Sequence, residues 1–254
     1  MKIVCIKAKQ ITTILTLTLV LTLLALTTHV TNISGVYLGY ALRQVPIYSV
    51  QTNEKKVALT FDAAWGSDKT SKIVEILKDN GVDATFFLVG FWVEANPDKV
   101  KEIDAAGFDI GTHSNTHPKM STLSTEKQIE ELSVSSNLIT QITGKQIKYF
   151  RPPFGDYNDS LINSAESLNL QTIQWDVDTL DWKGISANEI LARVKQSVTN
   201  GSIILMHNNS DHILEALPLI ISYLKAEGYS MVKLSDLVYQ TDYNINNNGL
   251  QIKN

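Results

Sequence analysis

Hydrophobic positions along the chain recur in two alternating modes. Short apolar runs at residues 57–61, 84–88, 108–111, 148–150, 170–175, 202–206 and 230–232 read as buried strands. Between them, apolar residues fall three and four apart. Ile73, Val74, Ile76 and Leu77 make one helical face, and Ile129, Leu132, Leu138, Ile139 and Ile142 make another. Thr125 with Gln128, and Ser186 with Glu189, have the capping-box spacing just ahead of such stretches. Strand and helix alternating in this way imply parallel strands, in a doubly wound sheet or a barrel. About seven units, with no Gly-x-Gly-x-x-Gly after the first strand, favour a distorted (β/α) barrel.

One run stands apart. Residues 11–27 carry no charge and follow Lys2, Lys7 and Lys9. A core helix keeps a polar face, so this run reads as a membrane-spanning anchor or an export signal, its basic flank left in the cytoplasm. Residues 26–30 offer no small-x-small cleavage site, which favours a retained anchor, while the threonines in the run keep a cleaved signal open. The expected organisation is a basic cytoplasmic flank (1–10), a signal-anchor or signal peptide (11–30), a linker with a leading strand (31–53), a catalytic domain (54–239) and a flexible Asn-rich tail (240–254). The domain is expected outside the cytoplasm, on the cell membrane if the anchor is retained and secreted if it is cleaved.

Composition narrows the function classes. With 254 residues, 44% of them hydrophobic, the chain can bury a full core, which excludes disorder, collagen and coiled coil. Cys5 is the single cysteine, so any metal must sit on histidine and carboxylate. Beyond the first 36 residues, 19 basic side chains face 26 acidic ones, which argues against nucleic acid as partner.

The polar residues with chemical potential fall where strands end, which is where barrels build their sites. Asp62 closes the first strand, at the barrel mouth or as a cap of the next helix. His113 and His117 follow the third strand and can face the same way if their segment makes a helical turn. Neutral imidazoles so spaced suit zinc. Arg151 is held by Pro152 and Pro153, a rigid way to aim a cation. Trp175, Asp176, Asp178, Asp181 and Trp182 cluster after the next strand, and His207 ends the one after that.

In this order, the five segments resemble the polysaccharide deacetylases, the NodB-homology group also called carbohydrate esterase family four. The likeness covers residues 54 to about 239. It implies a divalent metal ion, zinc by ligand type, and hydrolysis of acetyl groups on a sugar polymer such as peptidoglycan. By that resemblance Asp62 is the general base, His113 and His117 bind metal, and Arg151 orients the base. Asp181 partners the general acid His207, and Trp182 and Leu205 wall the acetyl pocket. Asp176 or Asp178 is structural or substrate-facing. The single N-terminal span and residues 60–66 look most like the sporulation-associated branch of spore-forming bacteria.

One position departs from the family pattern. A second acid usually follows the base as a metal ligand, and here Ala63 stands in its place. That leaves a two-histidine site completed by water, a replacement carboxylate such as Asp68, or a fold that has lost its chemistry. Retention of the base, arginine and histidines favours activity. The rivals are an O-acetyl esterase on the same polymers and a silent glycan-binding protein using Trp65, Trp92 and Trp182 as stacking surfaces.

Overall fold

The computed structural model describes residues 13, 15–25 and 43–254, in two units, Met1–Arg43 and Gln44–Asn254. In the second unit, strand β2 (Lys56–Ala63) shows how the sequence divides its faces. Val57, Leu59, Phe61 and Ala63 belong to the large apolar cluster shared with the helices, while Ala58 joins a second cluster with Phe87, Tyr149, Ile173 and Ile203. Successive strand residues point to opposite faces. One set therefore meets the helix layer, and the other, with Thr60 and Asp62, meets the barrel interior.

Around β2 lie β3 (Thr85–Leu88), β4 (Asp109–Thr112), β5 (Tyr149–Phe150), β6 (Gln171–Thr172), β7 (Val177–Asp178) and β8 (Ile203–His207). Their order is β6-β5-β4-β3-β2-β8-β7, all parallel, and β9 (Ser230–Met231) pairs the start of β2. This is a half-barrel of seven parallel strands, left open between β6 and β7. The segment leading into β1 (Ser49–Val50) bridges the opening. Ile47 pairs with Ile173, donating to the Thr172 carbonyl at 3.0 Å and accepting from the Gln174 N–H at 2.7 Å. Val50 N–H reaches the Gly201 carbonyl at 3.0 Å. A Cβ on Gly201, whose φ is +82°, would lie 1.7 Å from the Val50 oxygen, so only glycine lets the segment pass.

The helices α1 (Thr70–Asp79), α2 (Gly90–Ala95), α3 (Pro97–Ala105), α4 (Thr125–Thr143), α5 (Asp159–Ser167), α6 (Ala187–Ser197), α7 (Ile213–Ala226) and α8 (Leu234–Leu237) complete the layer. Ile73, Val74 and Leu77 of α1 and Leu132 and Ile139 of α4 are buried, in keeping with their spacing. Ser186 and Glu189 form the expected capping box. Thr125 does not cap: Ser124 does, and Gln128 is buried, its amide donating to the carbonyls of Met120 and Leu123.

One expectation is corrected. The 240–254 segment is not a flexible tail but holds a hairpin, β10 (Tyr243–Ile245) and β11 (Leu250–Lys253), with β11 parallel to β1. The Asn246 side chain accepts from the N–H groups of Asn248 and Leu250, and buried Gln251 exchanges two hydrogen bonds with the Tyr239 backbone. These asparagines build a turn. At the other end, residues 15–25 are helical with exposed leucines, and among the described residues no helix is long and apolar enough to cross a membrane. Residues 11, 12, 14, 26 and 27 of the uncharged run, and the lysines before it, lie outside the described residues.

Candidate active site

Asp62 and His207 are register partners on β2 and β8, and both line a cavity of about 540 Å³ at the carboxyl ends of the strands. Asp62 is held from across the barrel. Arg151, directly after β5 and fully buried, donates from Nη1 to Asp62 Oδ1 at 2.8 Å and to Thr60 Oγ1 at 2.8 Å, and from Nη2 to the Gln174 carbonyl at 3.1 Å. Its guanidinium lies 4.2 Å from the centre of the Phe87 ring. Burial alone would raise the Asp62 carboxyl, but Arg151 and then His113 outweigh it and hold the group below the ordinary carboxylate range. Asp62 is thus kept ionised and fixed in direction.

His207 is the opposite case. Its Nδ1 lies 2.8 Å from Asp181 Oδ1, while the second Asp181 oxygen accepts the His207 backbone N–H at 2.8 Å. Burial pushes the imidazole down, yet the hydrogen bond and charge of Asp181 prevail and raise it above its usual value. Asp176 is structural, accepting from Ser202 Oγ and the Ile203 N–H, each at 2.7 Å. Asp178 faces the cavity, as do Leu205 and Trp182.

The two histidines expected to bind metal are not on a helical turn. Ser114 and His117 take left-handed φ values of 68° and 59°, and this bent loop brings the His113 and His117 rings to 4.9 Å between centres. Glu131 on α4 pins the bend, accepting from the N–H groups of Asn115 (2.8 Å) and Thr116 (2.7 Å) and from Thr116 Oγ1 (2.6 Å). The carbonyls of Ser114 and Asn115 in turn accept from the first N–H groups of α2, at Gly90 and Phe91. A Cβ on Gly90 would lie 2.1 Å from Asn115 Oδ1. Neither Glu131 nor Gly90 carries a motif that points to the site.

These residues fit a cation in part. His113 donates from Nδ1 to the Arg151 carbonyl at 2.7 Å, which leaves Nε2 with its lone pair, 3.5 Å from Asp62 Oδ2. Burial holds His113 below its ordinary value, and burial together with His113 takes His117 to about 4, so both rings are neutral at pH 7. His117 Nδ1 is buried with no hydrogen-bond partner. Two neutral imidazoles side by side, one with a free Nε2 lone pair, are the donor chemistry of a metal site. Among the described residues, however, no group of three or more His, Cys, Asp and Glu side chains is gathered to hold a metal ion. Asp68 is exposed and does not line the cavity, so it does not replace a carboxylate at position 63. Ala63 is fully buried in the apolar cluster, while Ala64 lines the cavity.

Aromatic residues form the rim. Trp65 and Phe154 meet the His117 ring edge-on at 4.9 and 4.6 Å, and Trp65, Phe154 and Trp182 are all more than half exposed. Trp92 cannot serve as a stacking surface. It is buried, its indole N–H donating to the Gly66 carbonyl at 2.6 Å, which ties down the loop that carries Trp65.

Residues 49–173 match the family model described as Polysaccharide deacetylase. The chain is 35% identical over 201 residues to the uncharacterized protein YlxY of Bacillus subtilis, covering 79% of this chain and 63% of that one. It is 35% identical over 198 residues to a peptidoglycan-N-acetylglucosamine deacetylase of Bacillus cereus, covering 76% of this chain and 72% of the relative. Among solved structures, a CE4 family pseudoenzyme from Bacillus anthracis superposes with a TM-score of 0.75 at 38% identity, covering 78% of this chain and 71% of that one. A mutant of that protein with restored enzymatic activity superposes with a TM-score of 0.74. By identity and coverage, the chain belongs to the polysaccharide deacetylase family, carbohydrate esterase family four, a family of hydrolases acting on carbon–nitrogen bonds.

Proposed function

We propose that the domain removes N-acetyl groups from a cell-wall glycan, with peptidoglycan as the polymer. One observation carries this reading: a carboxylate fixed by a buried arginine and an imidazole fixed by a buried aspartate stand side by side in one cavity. An amide resists attack and its amine leaves poorly, so hydrolysis needs a base for the water and an acid for the nitrogen. Asp62 takes the proton of the attacking water. Arg151 keeps that carboxylate ionised and aimed. His207, its cation supported by Asp181, gives a proton to the departing amine. Leu205 and Trp182 enclose the acetyl methyl group. His113 and His117 would hold a divalent ion, zinc by donor type, which when bound supplies charge to polarise the acyl carbonyl and to lower the pKa of water to about 7.

The Bacillus cereus relative, named for N-acetylglucosamine deacetylation of peptidoglycan, supports the substrate class. The test is acetate release from N-acetylated peptidoglycan and chitin oligomers by the zinc-supplied protein, with an O-acetylated glycan as a parallel arm for the esterase alternative. Release from the N-acetylated polymers that disappears in Asp62→Asn supports the proposal.

A second reading has its own observation. Ala63 brings no carboxylate to the histidines, and a relative of similar fold is a pseudoenzyme. On that reading the domain binds glycan through Trp65 and Trp182 without turnover. Oligosaccharide binding with no acetate released at saturating zinc would establish it.

We further propose that the domain works outside the cytoplasm, held at the membrane through residues 11–27. The uncharged run behind Lys2, Lys7 and Lys9 supports export, and a cell-wall substrate requires it. The mass of the protein recovered from membranes tests this, since a mature start between residues 28 and 40 would replace the anchor with a cleaved signal. Residues 60–66 support a place in the sporulation-associated branch of a spore-forming bacterium, which the timing of expression would test.

A further inference from the structure

Two aspartates, Asp62 and Asp178, line the cavity, and a third, Asp181, stands buried behind His207. Asp62 is matched by Arg151 at 2.8 Å and Asp181 by His207 at 2.8 Å. Asp178 is different. It ends β7 as the register partner of Leu205, and it lines the cavity together with Trp175 and Trp182. Its Oδ1 accepts the Leu180 N–H at 2.8 Å, and Leu180 is left-handed at φ 54°. Of the neighbouring cations, Arg193 Nε donates to the Asp178 backbone carbonyl at 2.7 Å, Lys183 lies 5.0 Å over the Trp182 ring, and His207, whose protonated form the Asp178 charge also favours, is paired with Asp181.

We propose that Asp178 sets sugar specificity, accepting a neutral N-acetylhexosamine unit and rejecting a unit that carries its own carboxylate, as muramic acid does. The inference rests on the reading of the cavity as a glycan site. Aromatic rings cover the C–H face of a pyranose, and a carboxylate in the same cavity accepts from its hydroxyl groups. A lactyl ether removes one such donor and brings a like charge into a partly desolvated space. Both effects act against the muramyl unit, so the discrimination is built partly from repulsion. The polymer is therefore read at its N-acetylglucosamine positions.

Asp178→Asn is the decisive variant, because the amide oxygen still accepts the Leu180 N–H while the charge is gone. The probes are chitotetraose and a peptide-free glucosaminyl-muramyl tetrasaccharide with free lactyl carboxylates. Binding is followed by the fluorescence of the cavity tryptophans, which needs no turnover. The parent should bind chitotetraose at least about tenfold more tightly, and about 0.5 M salt should narrow that gap by screening the muramyl repulsion. Asp178→Asn should reduce the difference to about twofold and remove its salt dependence, while Asp178→Glu should restore both. Equal affinities in the parent, or a difference that survives in Asp178→Asn, would overturn the proposal. The salt titration on the parent keeps the test alive if a variant fails to fold. Chitotetraose preference without acetate release would sink the deacetylase reading and leave this one standing, whereas acetate release without the preference would do the reverse.

Discussion

Asp62 on β2 and His207 on β8 are paired in register, so their side chains leave neighbouring parallel strands on the same face. The strand ladder alone therefore places the carboxylate beside the imidazole. Each is then locked by a residue from elsewhere in the barrel: Arg151 comes from the end of β5, and Asp181 from the turn after β7. Arg151 is itself tied to Gln174, whose N–H is held by Ile47, so the segment that bridges the open barrel also supports the Asp62 carboxylate.

Replacing Asp62 with Asn keeps an acceptor for Arg151 and removes basicity. Acetate release should fall by about 100-fold or more, as for the loss of a positioned general base, with the protein still folded and its zinc content near that of the parent. Ordinary turnover in Asp62→Asn would show that water is activated by another group.

Asp181→Asn tests the acid. In the parent, Asp181 raises His207 above its ordinary value of about 6.5, so the cationic ring contributes stability fully below that pH and loses it as pH rises through the raised value. In the variant the alkaline limb of the kcat/KM profile should move to lower pH, with activity near neutrality reduced by about tenfold or more. The difference in melting temperature between parent and variant should be largest below pH 6.5 and shrink above it. An unmoved alkaline limb would mean that another group protonates the amine.

The sequence shows the two ends of this machinery unequally. Thr60, Phe61 and Asp62 continue the alternation of a strand up to its last polar residue, so the pattern leaves Asp62 at the barrel mouth or as a helix cap, and its contact with Arg151 places it at the mouth. The pair His113 and His117 is visible too, but the reason expected for it, a helical turn, is wrong. Two left-handed residues do the bending, and their support, Glu131, lies 16 residues beyond Asn115 on a helix where it looks like any solvated acid. Trp65 and Trp92 are equivalent by composition, and only the packing separates the exposed ring from the buried one. The asparagines after residue 240 resemble a frayed end because residues that build turns also dominate disordered segments.

Glu131→Ala should loosen the loop that carries His117. Three donors would lose their acceptor, and the left-handed His117 would lose part of what holds it. Residues that orient metal ligands typically contribute about 10- to 100-fold in affinity. Zinc binding measured by calorimetry should weaken by that order, with a smaller change in the melting temperature of the metal-free protein. Unchanged zinc affinity would show that the loop keeps its shape without the carboxylate.

Position 63 is fully buried in the apolar cluster rather than in the cavity. Without metal, Ala63→Asp places a carboxyl group among apolar side chains and should destabilise the domain by about 2 to 4 kcal/mol. Ala63 is the last residue of β2, however, and the chain beyond it is a loop, so a carboxylate there can turn toward His113 and His117 when a cation is present. Zinc binding only the folded state then stabilises it by linkage, and more so with three protein ligands than with two. Thermal melts with and without zinc should show a larger upward shift for Ala63→Asp than for the parent, while Asp68→Ala, altered outside the cavity, should shift as the parent does. Equal shifts in the parent and Ala63→Asp would show that position 63 stays turned to the helix layer and that a carboxylate there cannot complete the site.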